Sequence, residues 1–159
     1  MLIEHALQKL HTVCDSVAIA GGSPELARFG RVISDERPAQ GPLGGIVAAL
    51  EQSAYEWNVF LAVDMPFVPE TVLRGLVASA GGHATVVLAR TEGHVQPLCG
   101  VYSRRALPVL RAELGAARLK VKDAVAATGR VAYVDFEELG WFRNLNTPEE
   151  FQTASSTGT

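Results

Sequence analysis

Short apolar segments alternate with segments of helical periodicity along nearly the whole chain. Apolar runs predict strands at residues 16–20, 31–34, 58–63, 84–90, 96–102 and 130–136. Apolar spacing of three and four, with bounding prolines and glycines, predicts helices at residues 2–13, 24–29, 46–53, 69–79, 104–114 and 121–128. Because strands that alternate with helices of this length form βαβ units, we expect a three-layer α/β domain with a mostly parallel sheet.

Length and composition predict one folded domain. The 159 residues suit a single core, and 48% of them are hydrophobic whereas only 19% are charged, unlike a disordered chain. With no repeat or linker in the sequence, residues 1–151 are predicted to form one domain. Near its end, Thr147-Pro148-Glu149-Glu150 predicts a terminal helix that begins with a capping box. Residues 152–159 offer nothing to bury and are predicted to be disordered.

Charge and hydropathy argue against two classes of protein. A formal charge of -3 is unlike that of a nucleic-acid-binding protein, which needs a basic surface. No apolar run approaches the ~20 residues of a membrane span, and no signal-peptide pattern is present, so we expect a soluble, cytoplasmic protein. Cys14 and Cys99 stand far apart and outside any CxxC pattern, which predicts buried thiols rather than a zinc or redox site.

The beginning of the chain departs from the usual order of a nucleotide-binding α/β domain. Such domains open with a strand and a glycine-rich loop that lead into the first helix. Here the first predicted helix begins at Leu2, directly after Met1 and without a capping residue. The sheet is therefore predicted to lack its first strand and the phosphate loop, which would leave an exposed sheet edge.

Two predicted strands end at an aspartate. The strand in FLAVDMPFVPE, residues 60–70, runs into Asp64, and Asp35 follows an earlier strand. In open parallel sheets, ligands bind beyond the carboxyl ends of the strands. A carboxylate there can hold Mg²⁺ while water and substrate phosphates complete the octahedron. Asp64 is therefore a candidate metal ligand in a turn fixed by Pro66 and Pro69; the alternative is an aspartate that only caps the turn or the next helix.

A glycine-rich loop precedes the third predicted helix. The sequence GPLGG, residues 41–45, would let a ligand approach the backbone closely. The free N–H groups of the helix that follows favour anions or carbonyl-rich rings. Alone this pattern is a weak signal that is also typical of an ordinary turn. Its position shortly after Asp35, on the strand-end edge that it shares with Asp64, favours a binding site.

Four ordered motifs resemble those of the molybdenum cofactor guanylyltransferase (MobA) family. They are Asp35 with GPLGGIVAAL, then VDMPFV, then QPLCGVYS, and finally RNLNTPEE, within a resemblance that extends over residues 2–151. The resemblance implies a Rossmann-like fold and an Mg²⁺-dependent transfer of GMP from GTP to molybdopterin, with release of pyrophosphate. In such a reaction, positioning and charge neutralisation matter more than a protein nucleophile.

The resemblance also implies roles for residues on the nucleotide side. Asp64 would be the catalytic Mg²⁺ ligand, and Asp35 would contact the nucleotide. The backbone at the start of the third helix would line the guanine site, through Gly41, Pro42, Leu43 and Gly44.

On the pterin side, the resemblance implies that Asn144 and Asn146 lie near the second substrate. The candidates for neutralising its phosphate are Arg118, Lys120 and Lys122, although a lysine-rich helix start is more often a solvated surface. The opening signature of the family, a strand with LAGGxSxRMGxDK, has no counterpart in this sequence. Other basic residues would then have to bind the triphosphate.

Two other functions remain open on the sequence alone. A chain without the first strand could be a module that binds a nucleotide or a partner without catalysis. Its open apolar edge would favour self-association or contact with other molybdenum cofactor proteins. The same fold also serves cytidylyltransferases, although a GPLGG segment shaped for a purine argues against a pyrimidine.

Overall fold

The computed structural model describes residues 1–35, 39–147, 149–150 and 152–153. Its strands are β1 (Ile19–Ala20), β2 (Val32–Ile33), β3 (Trp57–Leu61), β4 (Val86–Thr91), β5 (His94–Ser103) and β6 (Val131–Asp135). Its α-helices are α1 (Leu2–His11), α2 (Gly41–Gln52), α3 (Glu70–Ala78), α4 (Leu107–Gly115) and α5 (Val121–Ala127). Short 3-10 helices lie at Pro24–Arg28, Arg104–Ala106 and Leu139–Phe142. The predicted alternation of strands and helices is confirmed.

The larger sheet has the strand order β3-β5-β4-β6. Strands β4 and β6 are parallel, whereas β5 is antiparallel to both of its neighbours, β3 and β4. Strands β3, β4 and β6 therefore point the same way, and the predicted mostly parallel sheet holds with β5 as the exception. Glu92 and Gly93, both with positive φ, join β4 to β5 in a two-residue hairpin. A parallel pairing would need a crossover of about a dozen residues.

Helices cover both faces of the four-stranded sheet. One face carries α2, α4 and α5, whose apolar side chains pack on Val86, Leu88 and Tyr102. The other face carries α3 and the end of α1, and Val87 and Ala89 point into that second core. Successive residues of β4 thus supply opposite cores, as the alternation of side chains along a strand requires. The predicted three-layer α/β/α architecture is confirmed.

Strands β1 and β2 form a separate, two-stranded parallel sheet. Helix α2 packs on both of these strands. In the described part of the chain, no strand joins this sheet to the four-stranded one. The interruption lies between β1 and β3, because residues of both strands line one cavity of about 1280 Å³. This gap agrees with the prediction that the sheet lacks a strand.

Three local predictions are corrected by the structure. GPLGG is not a loop but the first turn of α2, which begins at Gly41 rather than at residue 46. Proline suits that position, because the first N–H groups of a helix have no intrahelical partner. The strands predicted at 16–20 and 31–34 shorten to two paired residues each. The helix predicted at 24–29 is a 3-10 helix.

The predicted capping box is confirmed after the last strand. Thr147 Oγ1 accepts a hydrogen bond from the Glu150 N–H at 3.2 Å, and Glu150 Oε2 accepts one from the Thr147 N–H at 3.3 Å. Pro148, the first residue of this helix in the prediction, and residues 154–159 of the tail lie outside the described residues. None of the helices among the described residues has the length and hydrophobicity of a membrane span.

Candidate active site

The cavity between the two sheets is bounded on one side by an unpaired edge of β1. The Ile19 N–H donates to the carbonyl of Arg31, just before β2, at 2.8 Å, and the Gly21 N–H donates to the Ile33 carbonyl of β2 at 3.4 Å. Because successive residues of a strand direct their backbone groups to opposite sides, those of Ala18 and Ala20 face away from β2. Both alanines line the cavity. This edge therefore presents backbone donors and acceptors to the gap.

The edge of β3 on the other side of the cavity is open in the same way. The Ala62 N–H donates to the Leu98 carbonyl beyond the end of the ladder with β5, at 2.9 Å. The even-numbered residues of β3 therefore direct their backbone groups to β5. The residues whose backbone groups face the cavity are Trp57, Val59 and Leu61.

The first turn of α2 forms part of the cavity wall. Gly41 and Pro42 line the cavity together with Asp35 and the preceding Gln40. No side-chain hydrogen bond from the described residues caps this helix. The Gly44 N–H already donates to the Gln40 carbonyl at 3.3 Å, so the unpaired donors of the turn lie before it. A ligand in the cavity could reach them.

Asp35 lies directly against this turn of α2. A Cβ atom on Gly44 would collide with Asp35 Oδ2 and would come within 3.1 Å of the Cβ of Gln40. Because glycine has no Cβ, Gly44 allows the Asp35 carboxylate to approach the backbone of this turn closely. Leu43 points into the core and is fully buried. Two of the four residues predicted to form the guanine site line the cavity, and Gly44 fixes the place of Asp35.

Asp64 occupies a turn that follows β3. Val63, the residue before it, lines the cavity, whereas Asp64 is not part of the wall itself. The Met65 N–H closes the turn by donating to the Ala62 carbonyl at 3.2 Å. Asp64 is half-buried, and its carboxylate forms no hydrogen bond or ion pair with any residue that the structure describes. The carboxylate is therefore available to a ligand.

A second segment is attached to the Asp64 turn. The Leu145 N–H donates to the Asp64 carbonyl at 2.8 Å, and the Leu145 side chain is buried. Asn144 and Asn146 flank Leu145, and both are exposed. The structure thus brings the two predicted asparagines beside the turn that carries the predicted metal ligand, although 80 residues separate Asp64 from Asn144 in the sequence.

The three predicted basic residues lie elsewhere. Arg118 forms two hydrogen bonds to the Glu113 carboxylate, at 2.7 and 2.9 Å. Lys120 and Lys122 are exposed at the start of α5. None of the three lines the cavity. The structure does not bring them together with the other candidate residues.

Two side chains that the sequence did not single out contact the Asp64 turn. Lys9 donates to the Pro66 carbonyl, and its partial burial lowers the pKa of the ammonium group, an effect that Glu70 opposes. The guanidinium of Arg143 lies over the Phe67 ring, 4.9 Å from its centre. Arg143 belongs to the RNLN motif, but no sequence spacing relates it to Phe67.

The Asp64 carboxylate fits a metal site in which the protein supplies only one or two ligands. Within the described residues, no three His, Cys, Asp or Glu side chains are grouped closely enough to hold a metal ion. Mg²⁺ is usually held by one or two carboxylates, with waters and substrate phosphates in the other positions. An accessible, unpaired carboxylate such as that of Asp64 fits this arrangement.

Comparisons with known proteins agree with the site and the fold. The family model described as "MobA-like NTP transferase domain" matches residues 1–131. The molybdenum cofactor guanylyltransferase of Photobacterium profundum is 30% identical over 160 residues, which cover 98% of this chain and 82% of that protein. The enzyme of the same name from Vibrio campbellii is 31% identical over 153 residues, which cover 94% of this chain and 78% of that protein.

Solved structures show the same fold. Molybdopterin-guanine dinucleotide biosynthesis protein A from Archaeoglobus fulgidus superposes with a TM-score of 0.75 at 24% identity, covering 98% of this chain and 84% of that one. A 4-diphosphocytidyl-2C-methyl-D-erythritol synthase from Anaerococcus prevotii superposes with a TM-score of 0.74 at 12% identity, covering 98% and 85%. At these identities the likeness shows the fold alone. Because the family model matches most of the chain, this protein belongs to the nucleotidyltransferase family of MobA-like NTP transferase domains.

Proposed function

We propose that the protein is a cytoplasmic guanylyltransferase that moves GMP from GTP to molybdopterin and releases pyrophosphate. The observation that supports the proposal is one cavity wall that includes Asp35, the start of α2 and Val63, the residue before Asp64. Relatives at about 30% identity over most of the chain carry this activity in their names.

In this proposal the start of α2 binds the guanine base. The N–H groups of Gly41 and Leu43 have no partner within the helix and would donate to the carbonyl oxygen of the base. Asp35, held against Gly44, offers carboxylate oxygens that would accept hydrogen bonds from the ring N–H and amino groups. Donors beside acceptors complement guanine, whose base edge presents a carbonyl next to two donor groups.

Asp64 would hold Mg²⁺ through its carboxylate, and the metal would supply charge neutralisation at the phosphates. The half-buried position of Asp64 lowers the competition from water, and because no described residue forms an ion pair with it, its charge would be available to the metal. Asn144 and Asn146 would orient molybdopterin with amide groups that both donate and accept hydrogen bonds. The residues bind and align two substrates, and no protein nucleophile is required.

The role of Asp64 is tested by binding GTP to the Asp64→Asn variant with and without Mg²⁺. The amide removes the charge that holds the metal, so we expect Mg²⁺ to stop strengthening GTP binding, a loss of about tenfold in affinity. The matched control is Asp123→Asn on the exposed surface of α5, which should bind GTP as the unaltered protein does. Equal Mg²⁺ dependence in both variants would remove Asp64 from the metal site.

A second candidate function is binding of a partner without catalysis, and the gap between β1 and β3 favours it. A strand laid along this gap would lie between the open edges of β1 and β3, which both line the cavity. Open edges on both sides would hydrogen-bond such a strand, from a second copy of the chain or from another molybdenum cofactor protein.

A further inference from the structure

The stretch from Asp64 to Phe67, which leads from the turn of Asp64 into the next turn, is attached at both ends to one distant segment. At its first residue, the Asp64 carbonyl accepts the Leu145 N–H at 2.8 Å. At its last residue, the Phe67 ring lies under the Arg143 guanidinium at 4.9 Å. The residues that make these contacts are two apart, so a single short stretch of backbone carries both of them.

This stretch is itself held in place from both sides. Phe142, just before Arg143, is buried and lies 6.0 Å from the ring of Phe136. Leu145 is also buried. The exposed Arg143 between them therefore has a fixed backbone, and its side chain reaches across the surface to the aromatic face, where a guanidinium is attracted by the ring.

We propose that Arg143 is a positioning residue that couples the Asn144–Asn146 segment to the turn of Asp64. Arg143 acts through Phe67: it keeps the end of the turn against the segment, and the Leu145 hydrogen bond then stays formed at the other end. The Asp64 carboxylate, the proposed metal ligand, and the two asparagines thereby keep fixed positions relative to each other. The catalytic consequence rests on the proposed function, whereas the coupling of turn and segment does not.

The coupling is tested by hydrogen exchange at the Leu145 amide, in the full chain and without any ligand. The Arg143→Ala variant should exchange this amide several-fold faster, because the turn opens locally more often. Phe67→Leu should have the same effect, and the double variant should exchange no faster than either single one, as expected of two residues that act as a pair. Arg28→Ala, which removes a similar contact 4.6 Å from the Phe29 ring, is the matched control and should leave the amide unchanged.

An unchanged Leu145 exchange rate in Arg143→Ala would overturn the coupling, whether or not the chain proves to be an enzyme. Additive effects of the two substitutions would overturn the role of Phe67.

The positioning role is tested by the Mg²⁺ dependence of GTP turnover with molybdopterin. Arg143→Ala should raise the Mg²⁺ concentration for half-maximal turnover several-fold and leave the KM for GTP at saturating Mg²⁺ unchanged, because the start of α2 is untouched. Arg143→Lys keeps a cation over the ring and should recover part of the loss. Equal Mg²⁺ dependence in Arg143→Ala, together with faster amide exchange, would show a structural contact only and would contradict the positioning role. Absence of turnover in the unaltered chain would contradict the proposed function, and the exchange measurement would then decide the coupling alone.

Discussion

At the scale of single residues, the missing side chain of Gly44 leaves the space that the Asp35 carboxylate occupies. A methyl group at this position would occupy the space of Asp35 Oδ2, so the Gly44→Ala variant must displace the carboxylate from the start of α2. We expect a loss of stability of about 1–3 kcal/mol from overpacking, and weaker binding of GTP because the proposed contact of Asp35 with the base would be lost. Thermal unfolding and a GTP titration measure the two effects.

The neighbouring glycine provides the matched control for this prediction. A Cβ on Gly45 would lie 3.4 Å from the Cβ of Ala20, an ordinary contact. Gly45→Ala should therefore keep GTP affinity and gain some of the stability that alanine gives a helix, about 0.5–1 kcal/mol. If both variants bind GTP equally well, Asp35 is not a nucleotide contact.

At the scale of elements, the open edges of β1 and β3 are the unusual feature of the fold. Unpaired strand edges pair readily with other chains, and a lysine on an edge prevents this. If the gap recruits a second copy, sedimentation of the protein should show a concentration-dependent dimer that the Ala20→Lys variant lacks. Ala20 is exposed and lines the gap, so the lysine can reach solvent without disturbing the pairing of β1 with β2.

Ala127→Lys, at an exposed position of α5 away from the gap, carries the same added charge and should dimerise normally. A monomer at all concentrations, or equal dimerisation of both lysine variants, would argue that the gap does not mediate self-association.

At the scale of the whole molecule, local sequence patterns predicted the helices and strands better than they predicted how the strands pair. The apolar periods located most strands and helices, and Thr147 with Glu150 made the expected capping box. The antiparallel course of β5 depends on the tight turn at Glu92 and Gly93, and the apolar periods that locate strands do not report the direction in which the next strand runs. GPLGG folded as helix because the sheet packs on it, which no local propensity records.

The candidate site was predictable only where a motif marks it. The sequence marks Asp35 and Asp64 by their positions after strands, and it marks the two asparagines by their motif. In the structure Asp35 lies against the start of α2, whereas the asparagines lie beside the turn of Asp64. The contact of Arg143 with Phe67 joins segments 76 residues apart, so it depends on tertiary packing. Arg118 instead forms a local, exposed ion pair with Glu113, five residues earlier in the chain.

Whether this chain transfers a guanylyl group is decided by offering it GTP and CTP together with molybdopterin and Mg²⁺. Mass analysis of the product distinguishes the added nucleotide. We expect the GMP adduct in large excess, with pyrophosphate, because the contacts proposed for the start of α2 and Asp35 complement guanine. A CMP adduct would instead identify a cytidylyltransferase, and the absence of any adduct would contradict the enzymatic account and leave the partner-binding one.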